Sequence, residues 1–458
     1  MSSFSGASAR ALGLTSSGFT AIGNGYWINR TSKASTNVVS WPQSIAVDSS
    51  GNMYYVGYSY AYPSGTDYSQ NLVKYSSSGE IAWQRKLDTS GVNDVGYSVS
   101  LDSSGNVYVF GIGTANTYGT YIKYNSSGVL QWQKRLTDSY IYVIPSDSAV
   151  DSSGNLYIAG QTYNNATNNY DGLIVKFDSS GAITWQRRVY TNNADNLSSI
   201  ALDSSNNVYV CGLSGPTGAV KGVVLKYNSS GTLQWQREIA AGYYMQPGSI
   251  VCDSTGAIYI ASLYQDTNGG TTFGSVAKYN SSGVLQWQTK TTYNAYGIAV
   301  SNVRSEALAL DSSDNLYVIS PSLQYSAAGG ITLGSPTLIQ KFNSSGVEQW
   351  ARNFNLNNYV ASGYSAIAVN GSNFYIYFSS SLSSPTATIG AKLPTDGGKT
   401  GQYSVDSASI TYNIVTTTVT TGTLTDASGS LTDTAGAVTS STASLTDSAN
   451  DLTTVVRD

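Results

Sequence analysis

A single aspartate recurs in a turn-like motif and is the first group in the chain that could do chemistry. The motif DSSGNxYxxG begins, with small variations, at Asp48, Asp102, Asp151, Asp203, Asp253 and Asp311, and it fades to NGSNFYIYFS at Asn370. Calcium takes about six to eight oxygen ligands, whereas each motif brings one acid. An aspartate that accepts hydrogen bonds from its own turn, beside a glycine that permits positive φ, explains the motif better. We therefore expect structural turns and no metal site.

Residue types that support most enzyme chemistry are scarce. The chain has no histidine among 458 residues, so the commonest general base and the commonest metal ligand are missing. A glycosidase needs two carboxylates about 5 to 10 Å apart. The acids outside the motif lie in different units of the chain, at Asp94, Asp138, Asp171, Asp195 and Glu306. We expect no enzyme activity, no catalytic residue and no cofactor.

Tyrosines concentrate in segments that differ from one unit to the next, such as 59–70, 161–172 and 240–248. Tyr, Asn, Ser and Gly form the adaptable mixture found in paratopes, and exposed rings beside amides also suit sugars. The candidate ligand-binding residues are Tyr62, Tyr118, Tyr142, Tyr163, Tyr170, Tyr243, Tyr244 and Tyr296, accompanied by Asn164, Asn168 and Asn294. The alternative is that each ring packs within its own loop.

A second motif indicates which elements position these residues. The string KYNSSGVLQWQ stands at Lys123 and again, unchanged, at Lys278, with related copies at Lys74, Lys176, Lys226 and Lys341. The two motifs alternate with a period of about 50 residues, and each turn separates two strand-like runs. Such a unit is typical of a propeller blade. The sequence predicts an all-β, seven-bladed β-propeller of four-stranded blades, with constant turns on one face and variable connections on the other.

A tryptophan occupies the fourth predicted strand of each unit. A large ring repeated once per blade most economically packs between neighbouring sheets. Trp27 precedes Trp83 by 56 residues, close to one period, and belongs to the same series. The predicted docking residues are Trp27, Trp83, Trp132, Trp185, Trp235, Trp287 and Trp350.

The unit resembles the seven-bladed β-propeller repeat family, often abbreviated SBBP, through SIAVDSSGNMYYVG and KYNSSGVLQWQ. This resemblance covers about residues 25–405 and implies the propeller fold. The unit is also similar to the tryptophan-docking blades of quinone-dependent dehydrogenases in its order of turn, glycine, aliphatic residue and tryptophan. The second resemblance implies no quinone chemistry, because the metal and cofactor ligands of those enzymes are not recognisable here.

Two segments compete to supply the last strand of blade seven, whose first three strands would lie in about 364–393. One segment is 25–30, where YWINR looks like a detached copy of WQR, so that the N-terminal part of the chain closes the ring. The other is Thr400–Val405, which follows KLPTDGG as a stretched version of the second motif. We favour the N-terminal strand on this pattern.

After about Val415 the composition changes to Thr, Ser, Ala, Asp and Gly, with apolar residues seven apart at Leu424, Leu431, Val438, Leu445 and Leu452. A heptad suggests a coiled-coil stalk, but Thr and Gly are poor helix formers and the second core position holds Ala, Thr or Ser. We expect this segment to order only against partners, through these five residues. Together with KLPTDGG it resembles the C-terminal parts of phage tail and appendage proteins. The predicted organisation is 1–24 N-terminal arm, 25–405 propeller and 406–458 assembly tail.

Charge and hydropathy argue against nucleic-acid binding and against a membrane span. The net charge of −4 and the isoelectric point near 4.9 provide no basic surface for a nucleic acid. No apolar run approaches the roughly 18 residues of a membrane span, and the start of the chain lacks the apolar core of a signal peptide. Cys211 and Cys252 stand where other units carry apolar residues, which predicts two buried free thiols.

These features favour a virion structural protein of a bacteriophage, in a tail, fibre or capsid appendage, made in the host cytoplasm without a signal peptide. Its propeller would contact a host-surface glycan or receptor, and its tail would contact other virion proteins or copies of itself. The alternative is a cell-surface or filament-forming propeller that acts as an interaction protein. A glycan-active enzyme is the weakest interpretation.

Overall fold

The structure is a computed structural model that describes most of the chain. The described residues are 14–23, 25–33, 38–61, 68–87, 93–113, 118–138, 143–164, 168–191, 193–215, 220–240, 243–265, 267–268, 272–295, 298–300, 307–321, 325–326, 332–333, 337–356, 360–381, 387–405, 408–414, 417–421, 425–428, 432–435 and 438–442. Within these ranges the regular structure is all β, and no helix is present that could cross a membrane.

Strands are numbered along the chain. They are β1 (Leu14–Gly23), β2 (Tyr26–Lys33), β3 (Val38–Val47), β4 (Met53–Ala61), β5 (Ser69–Tyr75), β6 (Ile81–Leu87), β7 (Val95–Leu101), β8 (Val107–Gly113), β9 (Tyr118–Tyr124), β10 (Leu130–Asp138), β11 (Val143–Val150), β12 (Leu156–Asn164), β13 (Asn169–Phe177), β14 (Ile183–Tyr190), β15 (Asp195–Leu202), β16 (Val208–Ser214), β17 (Lys221–Tyr227), β18 (Leu233–Ala240), β19 (Tyr244–Cys252), β20 (Ile258–Gln265), β21 (Thr272–Tyr279), β22 (Leu285–Ala295), β23 (Ile298–Val300), β24 (Ala307–Leu310), β25 (Leu316–Pro321), β26 (Tyr325–Ser326), β27 (Thr332–Leu333), β28 (Thr337–Phe342), β29 (Glu348–Leu356), β30 (Val360–Asn370), β31 (Asn373–Ser381), β32 (Ala387–Pro394), β33 (Gly401–Val405), β34 (Ala408–Ile414), β35 (Thr417–Thr421), β36 (Thr425–Ser428), β37 (Thr432–Ala435) and β38 (Val438–Thr442).

Seven antiparallel sheets form the blades of a ring, which confirms the predicted seven-bladed propeller. Blades one to five are built on β3–β6, β7–β10, β11–β14, β15–β18 and β19–β22, blade six on β24, β25, β28 and β29, and blade seven on β30, β31, β32 and β2. The first strands of successive blades contact one another all the way round, so they line the axis of the ring. A small hairpin, β26–β27, lies in the connection between the second and third strands of blade six.

The N-terminal strand closes the ring, as predicted. β2 pairs with β32 and places Trp27 opposite Lys392, so the two distant parts of the chain share blade seven. The competing interpretation is wrong, because Gly401–Val405 forms β33 and pairs with β34 in the sheet of blade six. The turn that precedes it is nevertheless a true blade-seven turn, since Trp350 of blade six donates its indole N–H to the carbonyl of Thr395 at 3.1 Å.

Each aspartate turn is closed by its own side chain. Asp48 accepts hydrogen bonds from the backbone N–H groups of Ser50 (3.0 Å) and Asn52 (2.9 Å), from the Asn52 amide (2.8 Å) and from the Tyr54 hydroxyl (3.1 Å). Burial alone would raise the pKa of Asp48, but these hydrogen bonds outweigh it and hold the pKa below its usual value. The carboxylate is therefore committed to the turn and is a poor candidate for a metal ligand.

Each docking tryptophan of one blade reaches the constant turn of the next blade. The seven indole N–H groups donate to backbone carbonyls at 3.1 to 3.3 Å, in the pairs Trp27–Ser77, Trp83–Ser126, Trp132–Ser179, Trp185–Ser229, Trp235–Ser281, Trp287–Ser344 and Trp350–Thr395. The ring lies against the glycine of that turn: a Cβ added to Gly283 would stand 2.9 Å from Cδ2 of Trp235. The repeated string thus supplies both the tryptophan and its receptor.

Among the described residues the core is divided into seven clusters, and each cluster joins two neighbouring blades. The cluster between blades four and five contains buried Cys211 with half-buried Cys252 packed against it, and neither forms a disulfide. Burial, followed by the charges of Asp203 and Asp253, raises the pKa of Cys252 to about 12. Cys211 is buried as predicted, whereas Cys252 is only partly buried. Burial also raises the pKa of Cys211, so both thiols are protonated near neutral pH.

The described part of the C-terminal segment forms strands on the outer edges of the blades of its own chain. The expectation that this segment orders only against partners is therefore wrong there, and the heptad does not form a coiled coil. β34, β35, β36, β37 and β38 pair antiparallel with the fourth strands of blades six, five, four, three and two, in that order. We call these five strands the outer belt. β1 occupies the corresponding edge of blade seven. Thr- and Ser-rich sequence with isolated apolar residues suits an added edge strand better than a helix.

Candidate functional site

The variable edge of the ring is where second strands end, third strands begin, fourth strands end and the next first strands begin. Among the predicted tyrosines, Tyr163 and Tyr170 lie together at this edge of blade three, while Tyr243 and Tyr244 precede and begin β19 in blade five. Tyr62, Tyr142 and Tyr296 lie outside the described residues. The structure therefore brings one predicted pair of rings together at blade three.

Tyr163 and Tyr170 face each other across the end of the β12–β13 hairpin. They are register partners, and their ring centroids lie 5.0 Å apart in an edge-to-face arrangement. The Tyr163 hydroxyl donates to the side-chain oxygen of Asn168, a residue with φ of 55° at the tip of the hairpin. Both rings are half-buried. Their outer surfaces form a small aromatic platform with an amide beside it.

A buried ion pair lies on the opposite face of the same hairpin, because Asp171 follows Tyr170 and successive side chains of a strand point to opposite faces. Asp171 is 1% exposed, and its carboxylate pairs with the guanidinium of Arg188 on β14, whose Nε lies 2.6 Å from Oδ2. Arg188 also lies against the ring of Tyr190, 5.5 Å from its centroid. Asp171 and Arg188 are diagonal neighbours, because Leu173 pairs with Arg188. Charge neutralisation makes this buried pair tolerable and fixes the orientation of both side chains.

Blade four contributes a second buried carboxylate. Asp195, the first residue of β15, is 2% exposed and accepts hydrogen bonds from the Thr191 backbone N–H (2.5 Å) and hydroxyl (3.0 Å). Burial is the main cause that raises the pKa of Asp195, and the charge of Asp171 adds to it. Next to it, the Asn196 amide donates to the Gln161 side chain of blade three at 2.7 Å. The two blades are thus joined by polar contacts at the variable edge.

We call the set Gln161, Tyr163, Asn168, Tyr170, Asp171, Arg188, Tyr190, Asp195 and Asn196 the blade three–four cluster. The sequence singled out Tyr163, Tyr170 and Asn168 as binding residues and placed Asp171 and Asp195 in different units of the chain. The structure pairs Asp171 with Arg188. The cross-strand register is the signal that would have found this pair, since it requires the hairpin ends to be aligned.

Tyr118 differs from the other predicted binding residues. Its side chain is 5% exposed and the guanidinium of Arg135 lies 3.8 Å from its ring centroid. A ring covered in this way is a packing residue and does not form part of an exposed binding surface. Asn164 and Asn294 lie on β12 and β22, and their side chains are outside the described set.

The remaining acids do not join the cluster. Asp94 is buried at the same repeat position as Asp195, since each lies eight residues before the aspartate of its blade's turn. Asp138 ends β10 and pairs with Val438 of the outer belt. Glu306 lies outside the described residues. Over the described part of the chain, no group of three or more acidic or cysteine residues could hold a metal ion.

The axis of the ring carries one carboxylate that the sequence analysis missed. Asp147 on β11 accepts hydrogen bonds from the hydroxyls of Ser98 (3.1 Å) and Ser199 (2.7 Å) and from the Ile200 backbone N–H (3.1 Å). Part of its surface remains open, yet protein surrounds it closely and desolvation raises its pKa. At the same repeat position other blades carry a serine, whose hydroxyl accepts a hydrogen bond from a backbone N–H group of the next blade. The donor and acceptor pairs are Val99–Ser44, Ser148–Ser98 and Ile250–Ser199. The sequence did contain a signal for Asp147, because the other units hold serine or alanine at this repeat position.

Of the predicted assembly residues, Val438 is the first residue of β38. Leu424, Leu431, Leu445 and Leu452 lie outside the described residues. The docking tryptophans occupy the positions given above: Trp27 is 1% exposed, and the other six are half-buried.

Comparison with known proteins places this fold in a family. Residues 23–263, more than half of the chain, match the family described as outer membrane protein assembly factor BamB. The chain belongs to this family. No curated protein matches the chain. The matched residues run from the closing strand of blade seven into blade five, so they include the blade three–four cluster.

Several solved propellers are similar in outline to this BamB-family chain. Puromycin hydrolase is 10% identical, with 74% of this chain and 50% of that chain covered and a TM-score of 0.46. The β-propeller domain of the trilobed protease from Pyrococcus furiosus is 7% identical, with 78% and 95% covered and a TM-score of 0.43. NanB sialidase from Streptococcus pneumoniae is 13% identical, with 77% and 68% covered and a TM-score of 0.41.

The chain spans about half the length of the puromycin hydrolase chains that it matches. At these identities and TM-scores the three structures carry no argument about activity or substrate.

Proposed function

We propose that this protein is a non-catalytic binding protein whose propeller presents the blade three–four cluster to a glycan or protein surface. The observation that carries the proposal is the paired Tyr163 and Tyr170 rings, whose centroids lie 5.0 Å apart at the end of the β12–β13 hairpin. Rings that already pack against each other lose little side-chain freedom when a ligand covers them, which favours affinity. The adjacent Asn168 side chain adds polar groups that can recognise hydroxyls or backbone amides.

A binding role agrees better with this geometry than hydrolysis does. Asp171 is neutralised by Arg188, and Asp195 is held by Thr191, so neither carboxylate is an open acid or base. A glycosidase would need two carboxylates that face a shared substrate. The family description, an assembly factor, also favours contacts with other macromolecules over catalysis.

The more specific form of the proposal is a virion structural protein that displays the propeller at a phage tail, fibre or capsid appendage. It rests on the resemblance of the C-terminal sequence to phage appendage proteins. A cell-surface or filament-forming interaction protein is equally consistent with the fold. Mass spectrometry of purified virions separates the two: the chain should be a stoichiometric component, and its absence would overturn the virion assignment while leaving the binding role open.

Binding at the cluster is tested with the fluorescently labelled protein on an array of bacterial surface polysaccharides and on whole bacterial cells. Tyr170→Ala should weaken binding by about two- to tenfold, because stacking contacts of one ring are worth about 0.5 to 1.5 kcal/mol. The matched control is Val284→Ala, an exposed residue on the constant turn of blade five, which should bind as the parent does. Equal binding by both variants would place the contact surface elsewhere.

A further inference from the structure

Blade one has an outer edge that no strand covers among the described residues. Its sheet consists of β3, β4, β5 and β6, whereas the outer strands of the other six blades all pair with a further strand from β1 or the outer belt. Among the described strands, β6 (Ile81–Leu87) pairs on one side only, with β5. Such an edge is a template for one more strand.

The register of the outer belt identifies that strand. In each of the five blades that pair with an outer-belt strand, we compare the belt partner of the residue two positions after the docking tryptophan. The five pairs are Arg352–Ile414, Thr289–Thr421, Arg237–Ser428, Arg187–Ala435 and Lys134–Thr442. The belt partners advance by seven residues at every blade. The heptad in the sequence is therefore the step of the belt from one blade to the next.

A constant step follows from the symmetry of the ring. Successive strands in a sheet rotate by roughly 20 to 25°, so a fifth strand lies at roughly 80 to 100° to the first and runs around the circumference. Seven residues can span at most roughly 23 to 25 Å. Because the blades repeat one geometry, the same number of residues is needed to pass from each blade to the next. The seven-residue advance seen over five blades therefore predicts the pairing at the sixth.

We infer that residues 446–449, which follow the described part of the belt, form the outer strand of blade one. One further step of seven places Ala449 opposite Arg85, because Arg85 lies two positions after Trp83. The local sequence agrees independently: Thr446 to Ala449 read TDSA, while the belt strands of blades four and three read TDAS and TDTA. The inference does not depend on the proposed binding function.

A pair of engineered cysteines tests this register. The predicted pairing places Lys86 opposite Ser448, and directly opposed residues in an antiparallel pair have Cα atoms about 4.5 to 5.5 Å apart, within disulfide range. The full-length variant K86C/S448C, oxidised mildly, should form an intramolecular disulfide in most molecules. The matched control K86C/L452C, four residues out of register, should form less than about a tenth as much.

Three outcomes would overturn the inference. They are no disulfide in K86C/S448C, equal yields in the two variants, and a disulfide that links two chains, which would make a second copy the occupant of the edge. K86C alone shows whether Cys211 or Cys252 interferes.

Hydrogen exchange gives an independent measurement. Removal of residues 443–458 should speed exchange of edge amides of β6 by at least tenfold and leave β10 unchanged. Edge amides of β6 that already exchange rapidly in the full chain would contradict the belt.

Discussion

The two edges of the propeller follow opposite rules. At the constant edge, each turn receives the tryptophan of the preceding blade, and the same contact recurs seven times from Trp27–Ser77 to Trp350–Thr395. At the variable edge, blade three has a tyrosine pair and a buried ion pair, whereas blade two buries Tyr118 beneath Arg135. The constant edge makes the same contact between blades all round the ring and so holds its residues constant, whereas contacts between blades at the variable edge are particular to one pair of blades, as with Gln161 and Asn196.

Removal of a docking tryptophan should have the largest effect on stability. Trp235→Ala loses the hydrogen bond to Ser281 and the packing of the ring on Gly283, and we expect a loss of about 3 kcal/mol in the free energy of unfolding. Trp235→Phe, which keeps a ring without the N–H group, should lose about half as much. Urea denaturation measures both. A cost for Trp235→Ala below that of a variable-edge tyrosine would break the comparison.

A methyl group in the receptor turn should have the next largest effect. Gly283→Ala places a Cβ 2.9 Å from the ring of Trp235 at a φ of +76°, so steric overlap adds to backbone strain, and we expect a loss of about 2 to 3 kcal/mol. Gly256→Ala is the matched control, because its φ is +80° but its nearest neighbour would be 3.6 Å away. That variant should lose about 1 kcal/mol. Equal losses would show that the tryptophan contact is unimportant.

Replacement of the axial carboxylate should stabilise the protein near neutral pH. Burial raises the pKa of Asp147 above its unfolded value, so the ionised form destabilises the folded state once the pH exceeds that value. Asp147→Ser installs the residue of the equivalent positions Ser98 and Ser199, and we expect a gain of about 1 kcal/mol at pH 7. The gain should vanish as the pH falls below the unfolded pKa of about 4. Thermal unfolding measured against pH checks this, and a gain that grows in acid would contradict the sign.

Truncation of a variable-edge ring should have the smallest effect on stability. Tyr163→Ala removes a half-buried side chain, and we expect a loss of about 0.5 kcal/mol. The comparison variant Tyr118→Ala removes a buried ring packed under Arg135 and should lose about 3 kcal/mol. Chemical denaturation of the two variants side by side separates a packing tyrosine from a surface one. Similar losses would mean that the Tyr163 ring belongs to the core.

The sequence by itself determined the ring. Its period, its two constant turns and its tryptophans each describe a local contact that every blade must make, so repetition revealed them. The same logic identified Trp27 as the tryptophan of blade seven and hence the strand that closes the ring.

Only the tertiary structure decided which variable residues meet. Asp171 and Arg188 are 17 residues apart and belong to different strands, and Gln161 and Asn196 belong to different blades. Their contacts depend on strand register and on the angle between blades, which no local pattern encodes. The heptad could not be interpreted from the sequence alone for a similar reason. A spacing of seven residues is close to two helical turns, and it is also the advance of the outer belt from one blade to the next. The available partner decides between them, because a strand needs an open sheet edge and the blades provide it.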